Sequence, residues 1–194
     1  MKVTLNEHLA MIDQNAPVSD EEISRIFENA RNRFRDCGFT GLWEGCKLRG
    51  KKNLNRRKQC ESLVREYVKM IFETQDNRCT HWLFTRDNEL NGVWNRPNGA
   101  YRGWKITYIK YEIDHVNPVN AGGKNDLANY QFLSANANQF TKCSLTYDDL
   151  LRRVDLSVEL KNRIRTVLKR REELFKSAKW TDYMSRVEKA NESR

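Results

Sequence analysis

Asp114 and His115 stand side by side at the end of a β-prone run, and Asn129 and Asn138 follow within 24 residues of Asp114. A carboxylate and a carboxamide oxygen are hard donors suited to Mg²⁺ or Mn²⁺, and a neutral imidazole beside them can take a proton from water. Together these residue types supply the parts of metal-assisted phosphodiester hydrolysis. Each also has a plainer role, since Asp and His can end a strand and asparagines can satisfy turn backbone. The plain roles account for the residues singly and not for the set.

The surrounding chain is suited to bring them together. Residues 104–113, Trp-Lys-Ile-Thr-Tyr-Ile-Lys-Tyr-Glu-Ile, are β-branched and aromatic with no Gly or Pro, which predicts a strand ending at Asp114 and His115. Pro118, the pair Gly122 and Gly123, and Asn117, Asn120, Asn125 and Asp126 predict an ordered, irregular loop. Residues 130–133 read as a short second strand that pairs back onto the first. Ser134 is then a candidate N-cap for a helical stretch over 135–142, whose first turns carry Asn136 and Asn138.

In this order and spacing, Asp114-His115, Pro118, Gly122-Gly123, Asn129, Leu133 and Asn138 resemble the pattern of the HNH (ββα-metal) endonuclease family. The resemblance covers residues 112–142 of 194. It implies that His115 is the general base, that Asp114 and Asn138 hold one Mg²⁺ or Mn²⁺, and that Asn129 braces the loop and holds the imidazole. It further implies products with a 5′ phosphate and a phage or bacterial setting. Two positions depart from the pattern. Where many members carry paired Cys-x-x-Cys motifs of a zinc knuckle, this chain has Cys79-Thr-His-Trp82 and residues 134–137, Ser-Ala-Asn-Ala, so no structural zinc is expected. The basic residue that often follows the last Asn at three places is displaced by one, with Thr141 there and Lys142 next, which leaves Lys142 as the candidate phosphate contact.

With 194 residues, of which 39% are hydrophobic, the chain can bury a core of its own and reads as one domain. Within it, residues 1–100 form a helical and basic DNA-binding region, 101–145 the nuclease core and 146–194 a C-terminal helical region. No apolar run approaches the ~20 residues that span a bilayer, and the first residues lack the apolar centre of a signal peptide, so a soluble, cytoplasmic protein is expected. The five cysteines, Cys37, Cys46, Cys60, Cys79 and Cys143, are odd in number and follow no disulfide spacing, which suits free thiols in a reducing compartment. A zinc site from Cys37, Cys46, Cys79 and His81 is the alternative, against which their irregular spacing argues. A formal net charge of +9 and a pI near 9.4 call for a polyanionic partner; with no basic amphipathic anchor beside the nuclease-like core, DNA, duplex by expectation, fits better than a membrane surface.

The basic charge is concentrated. Residues 47–58 hold Lys47, Arg49, Lys51, Lys52, Arg56, Arg57 and Lys58 with no acidic residue, whereas a solvated surface mixes signs. This segment is the expected phosphate-tracking element. Before it, Ser19 to Glu22 form a capping box for a helix to about Asp36, with Ile23, Ile26, Phe27, Ala30 and Phe34 on its apolar stripe and Arg25, Arg31, Arg33 and Arg35 opposite, as a solvated face or as phosphate contacts. Residues 37–45 read as a glycine-punctuated connection, and 59–74 as a second amphipathic helix. The stretch 75–103 interleaves Trp82 and Trp94 with Arg86, Arg96 and Arg102, and Trp104 follows; these side chains either stack on bases or cover a small irregular core. Residues 146–149 cap a helical pattern running toward Phe175, a last helix spans about 180–190, and the final residues are expected to fray.

The fold class expected is α+β, a ββα-metal core embedded between helical segments. The activity expected is a one-metal DNA endonuclease; the rival is a basic DNA- or RNA-binding protein that keeps the fold without cutting.

Overall fold

Ile23, Ile26, Phe27, Ala30 and Phe34 recur at helical spacing, and they are the buried face of α1, Asp20–Asp36. The helix stops at Gly38, whose φ of +87° suits glycine, with Phe39 N–H returning to the carbonyl of Phe34. The computed structural model describes residues 20–78, 111–134 and 137–193. Residues 1–19 with the capping Ser19, the tryptophans of 82–104, and the strand over 104–110 lie outside the described residues, as do residues 135–136.

The stretch read as a connection after α1 is a helix, α2, Thr40–Lys47. Its glycines are there for closeness, not for a turn. A Cβ on Gly41 would stand 2.0 Å from the backbone oxygen of Asn191, and one on Gly45 would stand 2.4 Å from Cys60 Sγ. Phe39, in the capping position, has no side-chain acceptor, and Asn191 supplies it instead: its Oδ1 accepts from Gly41 N at 2.8 Å and Leu42 N at 3.3 Å. Residue 191 is therefore a tie across the molecule rather than a fraying end.

A 3₁₀ turn, Lys51–Asn53, leads into α3, Leu54–Thr74. This helix starts five residues before the expected 59. Arg, Lys and Gln are good helix formers and no Gly or Pro stands between Gly50 and Thr74, so the basic run joins the helix of its apolar neighbours. Leu63, Val64, Tyr67, Val68, Ile71 and Phe72 are buried along one face of it.

Two strands, β1, Tyr111–His115, and β2, Tyr130–Ser134, pair antiparallel with Ile113 opposite Phe132 and Asp114 opposite Gln131. The outer edge of β2 is closed by a side chain. Gln75, fully buried at the end of α3, donates from Nε2 to the Phe132 carbonyl at 2.7 Å and accepts the Phe132 N–H on Oε1 at 3.1 Å, as a neighbouring strand would. Arg163 and Arg170 in turn hold Asp76 and the Gln75 carbonyl.

The helix expected to run on from residue 146 is two helices. Thr146 and Asp149 form the capping box of α4, Tyr147–Arg152, and Ser157 Oγ accepts from Leu160 N at 3.1 Å to start α5, Val158–Phe175. A serine that caps offers the backbone a local partner which a continuing helix does not use, so the pattern breaks there. Ser177 likewise caps α6, Ala178–Glu192. One core joins α1, α2, α3, the hairpin and α6, and a smaller cluster lies under α4 and α5. The chain is thus α+β, six helices and one two-stranded antiparallel sheet among the described residues. No helix among them is long and apolar enough to cross a membrane.

Candidate functional site

The loop between the strands is held by Asn129. Its Oδ1 accepts from Asn117 N at 2.9 Å, and its Nδ2 donates to the carbonyls of Asn117 at 3.0 Å and Lys124 at 2.9 Å. Backbone closes the base, Val116 N–H on the Asn129 carbonyl at 2.7 Å. The two glycines have separate reasons. Gly122 takes φ +86°, whereas a Cβ on Gly123 would lie 1.8 Å from the Asn117 oxygen that Asn129 bonds. The turn's far side is anchored by Tyr67, which donates to the Leu127 carbonyl at 2.8 Å, and by Arg171, which donates to the Ala128 carbonyl at 2.7 Å.

His115 closes β1, and its Nε2 lies 2.9 Å from Asn125 Oδ1. The ring also leans on Tyr130, centroids 4.9 Å apart. The residue touching the imidazole is thus Asn125; Asn129 braces the loop but its side-chain bonds go to backbone. A carboxamide oxygen only accepts, so Nε2 carries the proton and Nδ1 keeps a lone pair.

Glu112 and Asp114 alternate along β1, so both project to the face opposite His115, about 7 Å apart along the strand. After β2 the chain makes one wide π-helical turn, Ala137–Lys142, which returns two side chains to that face. Asn138 Nδ2 donates to Glu112 Oε2 at 3.0 Å. Lys142 is fully buried, with Nζ 3.7 Å from Asp114 Oδ2, an ion pair beyond hydrogen-bond length, and no hydrogen-bond acceptor. Asp114 also accepts from Gln131 Nε2 at 3.1 Å, and Gln131 accepts from the Tyr147 hydroxyl. Burial raises the Asp114 carboxyl above the usual range and lowers the Lys142 ammonium, each offset in part by the other's charge.

This corrects the expectation for Lys142, which is not a surface cation reaching outward but an internal partner of Asp114. Asn138, expected beside Asp114, is brought to β1 with its amide bonded to Glu112. Glu112 was missed, although its place two residues before Asp114 on a strand already puts both carboxylates on one face. The donor chemistry fits a hard dication: two carboxylates and a carboxamide whose N–H is taken by Glu112, leaving its oxygen as the coordinating atom. Among the described residues no group of three or more His, Cys, Asp or Glu side chains is arranged to hold a metal. Of the alternative zinc residues, Cys37 contacts the Tyr130 hydroxyl, Cys46 is packed beside Cys60, and Cys79 and His81 lie outside the described residues.

The basic segment stands elsewhere. Lys47, Arg49, Lys51, Lys52 and Lys58 are exposed, while Arg56 and Arg57 are half-buried. Lys47 is engaged by Glu44 and the Trp43 ring, Arg49 by the carbonyls of Lys47 and Leu48, and Arg57 by Leu48 and Glu61. The segment occupies the start of α3, whereas Tyr67, Phe72 and Gln75 farther along it touch the hairpin, so about 14 Å of helix lies between Lys58 and the first of these contacts. Comparison with family models, with curated proteins and with solved structures finds no match for the chain.

Proposed function

We propose that the chain is a metal-dependent DNA endonuclease of the HNH type, cutting a phosphodiester bond at the end of β1. The observation that carries this reading is the short hairpin whose loop is fixed by Asn129, with His115 at the end of β1, Glu112 and Asp114 on the opposite face of that strand, and Asn138 bonded to Glu112. Glu112, Asp114 and Asn138 would hold Mg²⁺ or Mn²⁺. When bound, such an ion stabilises charge on a pentacoordinate phosphate and on the leaving 3′ oxygen. His115 Nδ1 takes the proton of the attacking water, and Asn125 holds the ring in that tautomer. Glu112 orients Asn138, and Asn129 keeps the loop, and so His115, at the strand end.

One observation favours the rival, a DNA- or RNA-binding protein that does not cut: Lys142 already neutralises Asp114 from the inside. Nicking of supercoiled plasmid separates the two. Conversion to open circles with Mg²⁺ or Mn²⁺, absent in chelator and in His115→Ala, is the expected result. Plasmid that stays supercoiled with either metal, although the protein retards it on a gel, leaves the binding protein.

A further inference from the structure

Beside the candidate site, α1 and β1 enclose a groove of about 490 Å³, lined by Asn29, Asn32, Arg33, Arg35 and Asp36 from the helix and by Tyr111 to Ile113 and Asn138 from the site side. Its size lies in the range of about 300 to 1,000 Å³ found for small-ligand sites. Asn29, Asn32, Arg33 and Asp36 recur at i, i+3, i+4 and i+7, so they form one polar stripe of α1, on the side away from its apolar face. Nothing in the hairpin pattern requires such a stripe.

We infer that this groove seats the nucleotide adjoining the scissile phosphate, with Arg33 and Arg35 on its phosphate and Asn29 and Asn32 on its sugar or base edge. The inference rests on the endonuclease reading for which bond is cut, but not for the binding itself. The guanidiniums are pre-set rather than free: Arg35 donates to Asp36 Oδ1 at 3.0 and 3.2 Å and lies over the Trp43 ring, and Arg33 stands 3.6 Å from Asp36 and 5.3 Å from the centre of the Tyr130 ring. Asp36 thereby pairs with both arginines, and both line the groove. Asn32 Oδ1 accepts from Trp43 Nε1 at 3.2 Å, which leaves its N–H pair as donors. Asn29 and its neighbour thus offer what a nucleotide edge needs, donors and an acceptor on rigid helix. Asp36 and Glu112 set a condition on the ligand, because an anion enters past two carboxylates only if it brings polar groups that the asparagines also bond.

The test is binding of a fluorescein-labelled ten-nucleotide DNA, single-stranded and duplex, measured by anisotropy in chelator for the wild type, Asn29→Ala/Asn32→Ala and Arg33→Gln/Arg35→Gln. Asn29, Asn32 and Arg35 are exposed, so these variants fold, which circular dichroism checks. The arginine variant should bind tenfold or more weakly with a shallower salt slope, and the asparagine variant several-fold more weakly with the slope unchanged. Affinity equal to wild type in both variants, on both DNAs, overturns the inference. Plasmid nicking run in parallel keeps the two claims apart. Variants that bind and nick like wild type retain the nuclease and remove the groove, whereas weakened variants of a protein that never nicks retain the groove and remove the nuclease.

Discussion

In the hairpin of residues 111–134 each polar side chain at the candidate site is tied down, Asn129 to three backbone atoms, Asn125 to His115 and Asp114 to Gln131 and Lys142. In residues 51–58, by contrast, Lys51, Lys52 and Lys58 extend into solvent with no acidic partner among the described residues. Chemistry on a phosphodiester needs groups placed to a fraction of an ångström, and such placement comes from bonds that restrict rotamers. Attraction of a polyanion needs only charge, which acts through solvent at several ångströms. Two kinds of order in one chain therefore match two kinds of work, and each can be attacked without disturbing the other.

The largest effect is expected at His115. His115→Ala should lower the nicking rate by about 10² to 10⁴, the usual contribution of a general base, with DNA affinity and melting temperature close to wild type. Turnover equal to wild type under matched conditions would remove the residue from the mechanism. Second comes the internal pair. Lys142→Met leaves Asp114 buried without a cation and should cost about 3 to 5 kcal/mol in chelator, with part of that loss restored by millimolar Mg²⁺. Restoration by Mg²⁺ is what distinguishes a metal-binding carboxylate from a merely structural one; a stability loss that Mg²⁺ leaves untouched would argue that no dication reaches Asp114. The same pair sets a pH dependence. Because burial raises the Asp114 carboxyl, its protonated form is the one folding favours, so stability from this group is present at low pH and is lost as pH rises through its folded value. Lys142→Met, which removes the opposing charge, should steepen that loss in a pH series of chemical denaturations.

A smaller change tests whether the loop or its brace matters. Asn129→Ala removes three hydrogen bonds that tie the two ends of the loop together, and should cost about 2 to 4 kcal/mol while lowering nicking. Asn125→Ala, which touches only the imidazole and the Tyr130 hydroxyl, should cost little stability and yet lower the rate, because Nε2 then loses the acceptor that fixes the tautomer. If both variants lose activity only in proportion to lost fold, the tautomer argument fails.

Much of the hairpin was legible because its devices are local. The strand end at Asp114 and His115, a glycine pair with a steric reason, an asparagine fourteen residues after the histidine and an apolar β2 all act within one short stretch. The helices with regular apolar spacing, α1, most of α3 and α6, were legible for the same reason. What escaped depends on partners far along the chain. Gly41 and Gly45 look like turn residues until Asn191 and Cys60 stand against them, and Asn191 looks like a loose end until it caps α2. Lys142 looks like a surface cation because nothing nearby in sequence shows that a wide helical turn points it at Asp114. Arg33 and Arg35 read as part of a solvated face or as phosphate contacts, whereas Asn29, Asn32 and Asp36 drew no notice until the packing of β1 beside α1 made them the wall of a groove.

The smallest expected effect per residue belongs to the basic segment, and it separates reach from placement. Its cations are not equivalent, since Arg57 is engaged by Leu48 and Glu61 and both Arg56 and Arg57 are half-buried. Lys51→Gln, Lys52→Gln and Lys58→Gln are the changes that remove charge without removing structure. Each lost phosphate contact should flatten the dependence of log affinity on log salt by about 0.9 and weaken binding roughly fivefold near physiological salt. The rate of cutting at saturating DNA should stay as in wild type, because about 14 Å of helix separates Lys58 from the first hairpin contact at Tyr67, or about four base pairs of duplex. Duplexes with arms shorter than that on either side of the cut should erase the difference between the triple variant and wild type. If instead the variant binds short and long duplexes equally less well, the lysines act through the summed field of the protein and not as contacts, and the phosphate track lies along α1.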